Sequence, residues 1–324
     1  MRVVSCNSFA PVDQLVVEDR PSLPLGEGQV RVAVAACGVN FVDALIVQGL
    51  YQLKPTVPFV PGGEVAGTVV EVAPDVTTHS VGERVFVTTG LSGGYSSEVV
   101  VPAFRALPTP ATITDAQAAT FVQSYCTAWF ALKYRARAQE GEWVLVLGAG
   151  GGVGLAAVDV AHSMGLKVIA AASSESKREL ALAAGADAVI DTANEDVKTR
   201  AKELSGGGVH HVYDPVGGDL TEAGLRSLRD DGQLLVVGFA AGEIPKLPAN
   251  QILLRNRRVT GVDWGGWTVT HGAENVQLLA DVIAAVGRGE LHPVVPRTYP
   301  LADVAEALTD QLERRAVGKS VLVP

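Results

Sequence analysis

The chain has 324 residues, room for two domains, and is 48% hydrophobic with 35 glycines and 17 prolines, which is the make-up of a globular α/β protein rather than a disordered one. A net charge of −9 argues against nucleic acid or an anionic membrane as the main partner, because both require a positive surface. Cys6, Cys37 and Cys126 are odd in number and far apart, so no disulfide framework is expected and a reducing cytoplasm is the default.

The opening Met1-Arg-Val-Val-Ser-Cys-Asn7 lacks the apolar stretch of a signal peptide. The apolar run Trp143 to Val158 is broken by glycines and is shorter than the roughly 18 residues of a membrane span. The expectation is therefore a soluble, cytoplasmic protein. Up to about Thr120 the sequence is strand-like and heavily punctuated. Gln29 to Ala36, Gly67 to Val72 and Arg84 to Thr88 are β-rich runs, separated by Pro55, Pro58, Pro61, Gly62-Gly63 and Gly93-Gly94. Short strands at this spacing predict a compact all-β domain over residues 1–120. Asp115 opens a capped helix and Ala128 to Ala138 reads as a second one. Strands then alternate with helices: Trp143 to Leu147, Lys167 to Ala172, Ala188 to Ile190, His211 to Tyr213 and Gln233 to Val237. That alternation predicts a doubly wound parallel sheet over residues 121–262. Residues 263–324 add helices at Ala273 to Arg288 and Leu301 to Arg314 and a last strand, Ser320 to Val323, read as a return to the first domain.

The stretch Leu147-Gly-Ala-Gly-Gly-Gly-Val-Gly154 carries the chemistry. It follows a strand, opens a helix near Val153 and precedes a second strand, which is the setting of a dinucleotide pyrophosphate cradle. In the three-glycine register the positions are Ala149, Gly151 and Gly154, with Gly150 and Gly152 extra; Gly150 to Gly154 together with Ala149 form the candidate phosphate turn. The second strand ends in Ser173-Ser-Glu-Ser-Lys-Arg178, with no carboxylate at its tip. Ser173, Ser174 and Lys177 suit a 2′-phosphate, so the residues favour NADPH over NADH, although Glu175 could still reach toward a ribose.

Gly38-Val-Asn-Phe-Val-Asp43, Gly49-Leu-Tyr51, Pro58 to Gly67, Val81-Gly-Glu-Arg-Val85, the glycine turn, Ser173 to Lys177, Val212 to Gly217 and Gly318 to Pro324 occur in one order along the chain. This arrangement resembles the medium-chain dehydrogenase/reductase superfamily, and within it the zinc-free quinone oxidoreductase (zeta-crystallin-like) family. The resemblance implies an α/β fold, a GroES-like β-rich catalytic domain beside the dinucleotide-binding one. Where the zinc-dependent branch carries a cysteine and a Gly-His-Glu, this chain has Asn40 and Gly62-Gly63-Glu64, and no cysteine cluster lies near residues 80–110. No catalytic metal is expected.

Without a Lewis acid, the plausible acceptors are conjugated ones, in which the incoming hydride's charge is delocalised. An NADPH-dependent quinone reductase is the leading reading. A 2-enone or enoyl-thioester reductase is the alternative, and an NADPH-binding sensor or structural protein with little catalysis is the alternative from another class. Asn40 is the candidate donor to the acceptor oxygen, or else an Asx-type holder of its loop. Asp43 is read as an orienting carboxylate, and Tyr51 as a hydrogen-bond donor or a packing aromatic. Thr127 and Gly238-Phe239 resemble the family's residues near the nicotinamide, Thr127 being otherwise a helix-start residue. Lys319 is read as a phosphate contact or a solvated surface cation. The segment Val259 to Trp267 looks specific to a subgroup, its tryptophans shaping the pocket or a dimer interface, and Arg258 to Val262 is the candidate edge strand of a homodimer.

Overall fold

The computed structural model describes residues 1–324, and the chain enters it through an antiparallel pair, β1 (Arg2–Ser5) and β2 (Val16–Asp19). The long strand β3 (Gln29–Val39) follows. It alternates buried Val30, Val32 and Val34 with more exposed neighbours, then is buried on both faces over its last residues. Asn40 then caps the helix α1 (Phe41–Val47), whose buried face is Asp43, Ala44, Ile46 and Val47. Next come β4 (Glu64–Val72), β5 (Arg84–Thr88), β6 (Glu98–Pro102) and β7 (Ala106–Pro108). β4 pairs antiparallel with β3, β5 with β4, β7 with β5, and β6 adds to β3. Helix α2 (Asp115–Trp129) carries the chain onward, and the predicted break at Ala128 does not occur. The helix continues, and over Phe130–Ala136 it widens to π-helical geometry before Arg137 closes it in the left-handed region at φ 53°. The residues there are uniformly compatible with helix, so sequence periodicity had no reason to merge or split them correctly.

A six-stranded parallel sheet follows. Its strands are β8 (Trp143–Leu147), β9 (Lys167–Ala172), β10 (Ala188–Asp191), β11 (Val209–Asp214), β12 (Leu228–Val236) and β13 (Arg258–Gly261). They lie in the order β10-β9-β8-β11-β12-β13. Helices α3 (Gly152–Ser163), α4 (Glu175–Ala183), α5 (Val197–Leu204), α6 (Gly218–Ser227) and α7 (Ala249–Leu253) make the crossovers. β8 and β9 are buried on both faces, which explains their unbroken apolar sequence. Leu145, Leu147, Ile169, Ile190, Val212 and Leu234 pack as one core. This strand order reverses direction between β8 and β11, and doubly wound folds bind nucleotides at that point, beyond the carboxyl ends of the strands.

Two further helices, α8 (Trp264–Thr270) and α9 (Gly272–Gly287), precede the last segment: β14 (Arg297–Pro300), α10 (Val304–Leu312) and β15 (Ser320–Val323). The chain divides into one unit of residues 1–122 plus 293–324 and a second of residues 123–292. The return expected from residue 263 therefore begins thirty residues later. The physical reason is packing. Trp267 lies against Phe130 and Tyr134 of the π-helical stretch, with ring centroids 4.9 and 5.9 Å away, and stacks on His271 at 4.8 Å. The tryptophans of Asp263 to Trp267 thus serve the second unit's own packing, and α9 buries Leu278, Val282, Ala285 and Val286. In the first unit β14 pairs with β15, and β15 pairs antiparallel with β3. No helix is long and apolar enough to cross a membrane.

Leu145 is fully buried in the middle of the parallel sheet. Leu145→Ala should cost about 3 kcal/mol of unfolding free energy, read from the shift in urea midpoint; a loss below about 1 kcal/mol would contradict its central placement.

Candidate active site

Three neighbouring strands of the first unit converge at one corner. Register sets β15 against β3 with Ser320 opposite Val39, so Lys319 arrives beside Asn40. On the other side of β3, Val65 of β4 stands opposite Cys37, which brings Glu64 to the same corner. The three side chains bond as the register allows. Lys319 Nζ donates to Asn40 Oδ1 at 2.6 Å, and Asn40 Nδ2 donates to Glu64 Oε2 at 2.9 Å. All three are buried, at 6%, 7% and 4% exposure. An ammonium can only donate and a carboxylate can only accept, so the amide is held in one orientation. One of its two N–H bonds is engaged by Glu64, which leaves a second donor on the same nitrogen. Charge on both sides also polarises the amide and strengthens that donor.

Asp43 sits in the first turn of α1, and its Oδ2 accepts the backbone N–H of Asn40 at 2.8 Å and the hydroxyl of Tyr95 at 2.8 Å. Asp43 thereby closes the capping box at the turn on which Asn40 stands. Burial pushes the Asp43 carboxyl up to about 6, against the opposing pull of its two hydrogen bonds. Burial and then the neighbouring Asp43 push the Tyr95 phenol well above its usual range. Burial also draws the Lys319 ammonium down, while Glu64 and Asp43 pull it back up. Tyr95 is fully buried, and its ring lies on Gly62, whose φ of 94° and lack of a side chain make room for it.

The reading of Lys319 as a solvated surface cation does not hold. It is 6% exposed, and its ammonium is directed at Asn40, because the buried carboxylates of Glu64 and Asp43 draw it inward. Tyr51 is partly buried and packs against the core of the first unit. Thr127 stands two residues before the end of α2, not at a helix start. Glu64 and Tyr95 were not singled out as site residues. The signal for Glu64 was a carboxylate at the head of the buried run Val65-Ala-Gly, a position that demands a partner.

The arrangement does not suit zinc. Asn40 offers an amide, a Cβ at Gly63 would overlap the carbonyl oxygen of Gly90, and an ammonium lies 2.6 Å from the Asn40 oxygen. No group of three or more His, Cys, Asp or Glu is placed to hold a metal ion.

In the second unit the glycine turn is built as a phosphate cradle. Gly148 takes φ 61° at the end of β8, Gly151 caps α3, and Gly151 N–H returns to Gly148 O at 3.1 Å. Gly152, Val153 and Gly154 form the first helical turn, whose N–H groups have no carbonyl four residues back and whose dipole favours an anion. A Cβ at Gly154 would overlap Gly148 O, so the helix packs on the strand only because that residue is glycine. A Cβ at Gly151 would meet nothing nearer than 3.6 Å, which leaves its approach open to a ligand. Ala149 is buried, and its N–H extends the ladder to Ala171 O at 3.0 Å. A Cβ at Gly150 would overlap the Lys177 side chain, so Lys177 lies across the turn. Ser173 is exposed and Ser174 caps α4, its hydroxyl 3.3 Å from that of Ser176. Gly238 N–H reaches Asp214 O at 3.3 Å, and a Cβ at Gly217 would lie 3.1 Å from the Phe239 ring, both beyond the carboxyl ends of β11 and β12. Val216 would lie 2.7 Å from a Cβ at Gly148, so the loops after β8 and β11 are in contact. These residues fit a dinucleotide. The adjacent His210 and His211 are structural: His210 Nδ1 accepts the Trp143 N–H at 2.9 Å, and His211 Nε2 pairs with Glu142 at 2.8 Å.

Comparison with known proteins follows the same division. Residues 26–111 match the family described as alcohol dehydrogenase GroES-like domain, and residues 152–281 the one described as zinc-binding dehydrogenase. A quinone oxidoreductase-like protein 2 homolog of Nematostella vectensis is 40% identical over 329 residues, covering 99% of this chain and 88% of that protein. The Escherichia coli quinone oxidoreductase complexed with NADPH matches with a TM-score of 0.89 at 29% identity, covering 100% of both chains. A mycobacterial protein complexed with NADPH gives a TM-score of 0.89 at 33% identity, again over 100% of both.

The raised Asp43 carboxyl makes a pH-dependent contribution of known sign. Its folded value, about 6, exceeds the ordinary 3.8, so the proton is held more tightly in the folded state. The resulting stabilisation is fully present below the ordinary value and is lost as pH rises through about 6. The stability of wild type minus that of Asp43→Asn should therefore fall between pH 4 and pH 7, by on the order of 2–3 kcal/mol at most, in denaturant titrations. A rise over that window would refute the assignment.

Proposed function

Because the chain belongs to the quinone oxidoreductase-like family of the medium-chain dehydrogenase/reductase superfamily, we propose that it is an NADPH-dependent, metal-free oxidoreductase that reduces a conjugated acceptor, a quinone in the first instance. The observation that carries this reading is the Asn40 amide held between Lys319 and Glu64. Bound NADPH supplies the hydride. The chain's own residues bind, orient and stabilise.

The first-turn N–H groups of Gly152 to Gly154 hold the pyrophosphate, and Lys177 with Ser173 and Ser174 holds the 2′-phosphate. Gly238 and Phe239 support the nicotinamide end through the backbone at the strand tips. The second N–H of Asn40 Nδ2 donates to the acceptor oxygen as negative charge develops there, and the neighbouring Lys319 cation strengthens that donor. Asp43 and Tyr95 keep the Asn40 turn in place. A lone amide donor is modest help for a localised alkoxide but adequate for a charge shared over a conjugated ring or enone, which supports a conjugated acceptor. Edge strand β13 leaves one row of its backbone groups unpaired and supports a homodimer formed by sheet continuation.

Anaerobic NADPH oxidation with a simple quinone, a small enone and crotonyl-CoA tests the acceptor. Fast quinone turnover is expected, and a preference for the enone or thioester would move the protein to the double-bond reductases. Asn40→Ala should lower kcat by on the order of a hundredfold with NADPH affinity intact; unchanged turnover would reduce Asn40 to a helix cap. Lys177→Ala should raise the KM for NADPH and leave that for NADH nearly unchanged, and equal effects on both would remove the 2′-phosphate assignment.

A further inference from the structure

The adenosine end of the nucleotide site contains a charge that the cofactor reading leaves unexplained. β10 runs parallel to β9 in a register that sets Asp191 level with Ala172, so both strands end at the same height. A carboxylate is thus present at the tips after all, supplied by the neighbouring strand. Arg178, the fourth residue of α4, folds back onto this tip. Its Nη1 lies 3.3 Å from Ala172 O and 3.1 Å from Asp191 Oδ1, with both side chains about a fifth exposed, at 18% and 20%. The carboxylate is the fixed partner. Its Oδ1 also accepts the Ala193 N–H at 3.0 Å, its Oδ2 accepts Asn194 Nδ2 at 3.0 Å, and its own N–H is bound to Glu195 Oε2 at 2.7 Å. Glu195 in turn faces Arg200 at 3.2 Å.

Arg178 and Asp191 therefore form a neutral pair. The guanidinium that would double the positive charge available to a 2′-phosphate is held at the strand tip by Asp191, and its field is offset there. Lys177 lies across the glycine turn, on the face read as meeting that phosphate. We propose that Asp191 is a specificity-determining residue: by restraining Arg178 it sets how strongly the adenosine end discriminates a 2′-phosphate from a 2′-hydroxyl. The proposal rests on the reading of Ser173, Ser174 and Lys177 as the face that meets that group.

The test is a double-mutant cycle read by binding rather than turnover. Dissociation constants of NADPH, NADH, 2′,5′-ADP and 5′-AMP are measured calorimetrically for wild type, Asp191→Asn, Arg178→Gln and the double variant. Asp191→Asn keeps an acceptor for the Ala193 N–H while releasing Arg178. It should tighten NADPH and 2′,5′-ADP by about three- to tenfold, leaving NADH and 5′-AMP within about twofold. Arg178→Gln strands the Asp191 charge beside the phosphate and should weaken the same two ligands by several-fold. The double variant, which loses a neutral pair, should return near wild type. The proposal is overturned if Asp191→Asn leaves phosphate affinity unchanged or weakens it. It is also overturned if the double variant binds as poorly as Arg178→Gln, which would make Arg178 a phosphate ligand in its own right. Wild-type protein that binds 2′,5′-ADP no better than 5′-AMP would instead refute the NADPH reading, and this proposal with it.

Discussion

The antiparallel pairing of β15 with β3 is the constraint on which the buried Asn40 corner depends. It joins residues 279 apart in sequence and, through register alone, sets an ammonium against the amide at the head of α1. β4 on the far side of β3 supplies the opposing carboxylate. Neither charge would be tolerated so deep in an apolar sheet by itself, because an unpaired buried ion carries a large desolvation cost. Each is tolerable through the other, with the amide between them. The price of that arrangement is a corner in which a single register slip would expose every member to the wrong neighbour.

The second unit reaches its purpose by a different route, through the absence of side chains. Gly154 lets a helix press against a strand end, Gly148 turns the backbone, and Gly151 keeps the approach clear. Here the functional groups are main-chain N–H groups, whose direction is set by the helix itself. The two units thus differ in what they orient. One supplies an oriented side-chain donor, and the other an oriented row of backbone donors.

Much of this was legible in the sequence, for identifiable reasons. The strands of the parallel sheet announce themselves because burial on both faces leaves unbroken apolar runs between turn signals. The glycine turn is legible because a steric requirement leaves one residue type. Asn40 was singled out because it stands where the zinc-dependent branch carries a cysteine, and Asp43 because it closes the same family-like segment. What was not legible depends on partners distant in sequence. Lys319 looks like any cation before a strand until β15 is laid beside β3, and Tyr95 looks like a loop aromatic until its hydroxyl reaches Asp43. Asp191 was not weighed as the strand-tip carboxylate because the search for one followed a single strand, whereas the neighbouring strand ends at the same level. The boundary near residue 263 was misjudged because Trp267 finds its aromatic partners more than a hundred residues upstream, in a helix whose π-helical turn no periodicity reveals.

The division of the chain also orders its assembly in time. The second unit is a single uninterrupted segment, whereas the first is completed by residues 293–324. On a ribosome, the parallel sheet can close while β3 still lacks one of its neighbours, since β15 is made only after the whole nucleotide-binding segment. Until then, one side of the end of β3 is an unfilled sheet position, and Glu64 and Asp43 are acids awaiting their cation. Folding of the intervening segment shortens the effective loop between β3 and β15, and so lowers the entropic cost of the last strand's arrival. A chain synthesised only that far would thus hold a finished glycine turn in its parallel sheet while the Asn40 corner still lacked its ammonium.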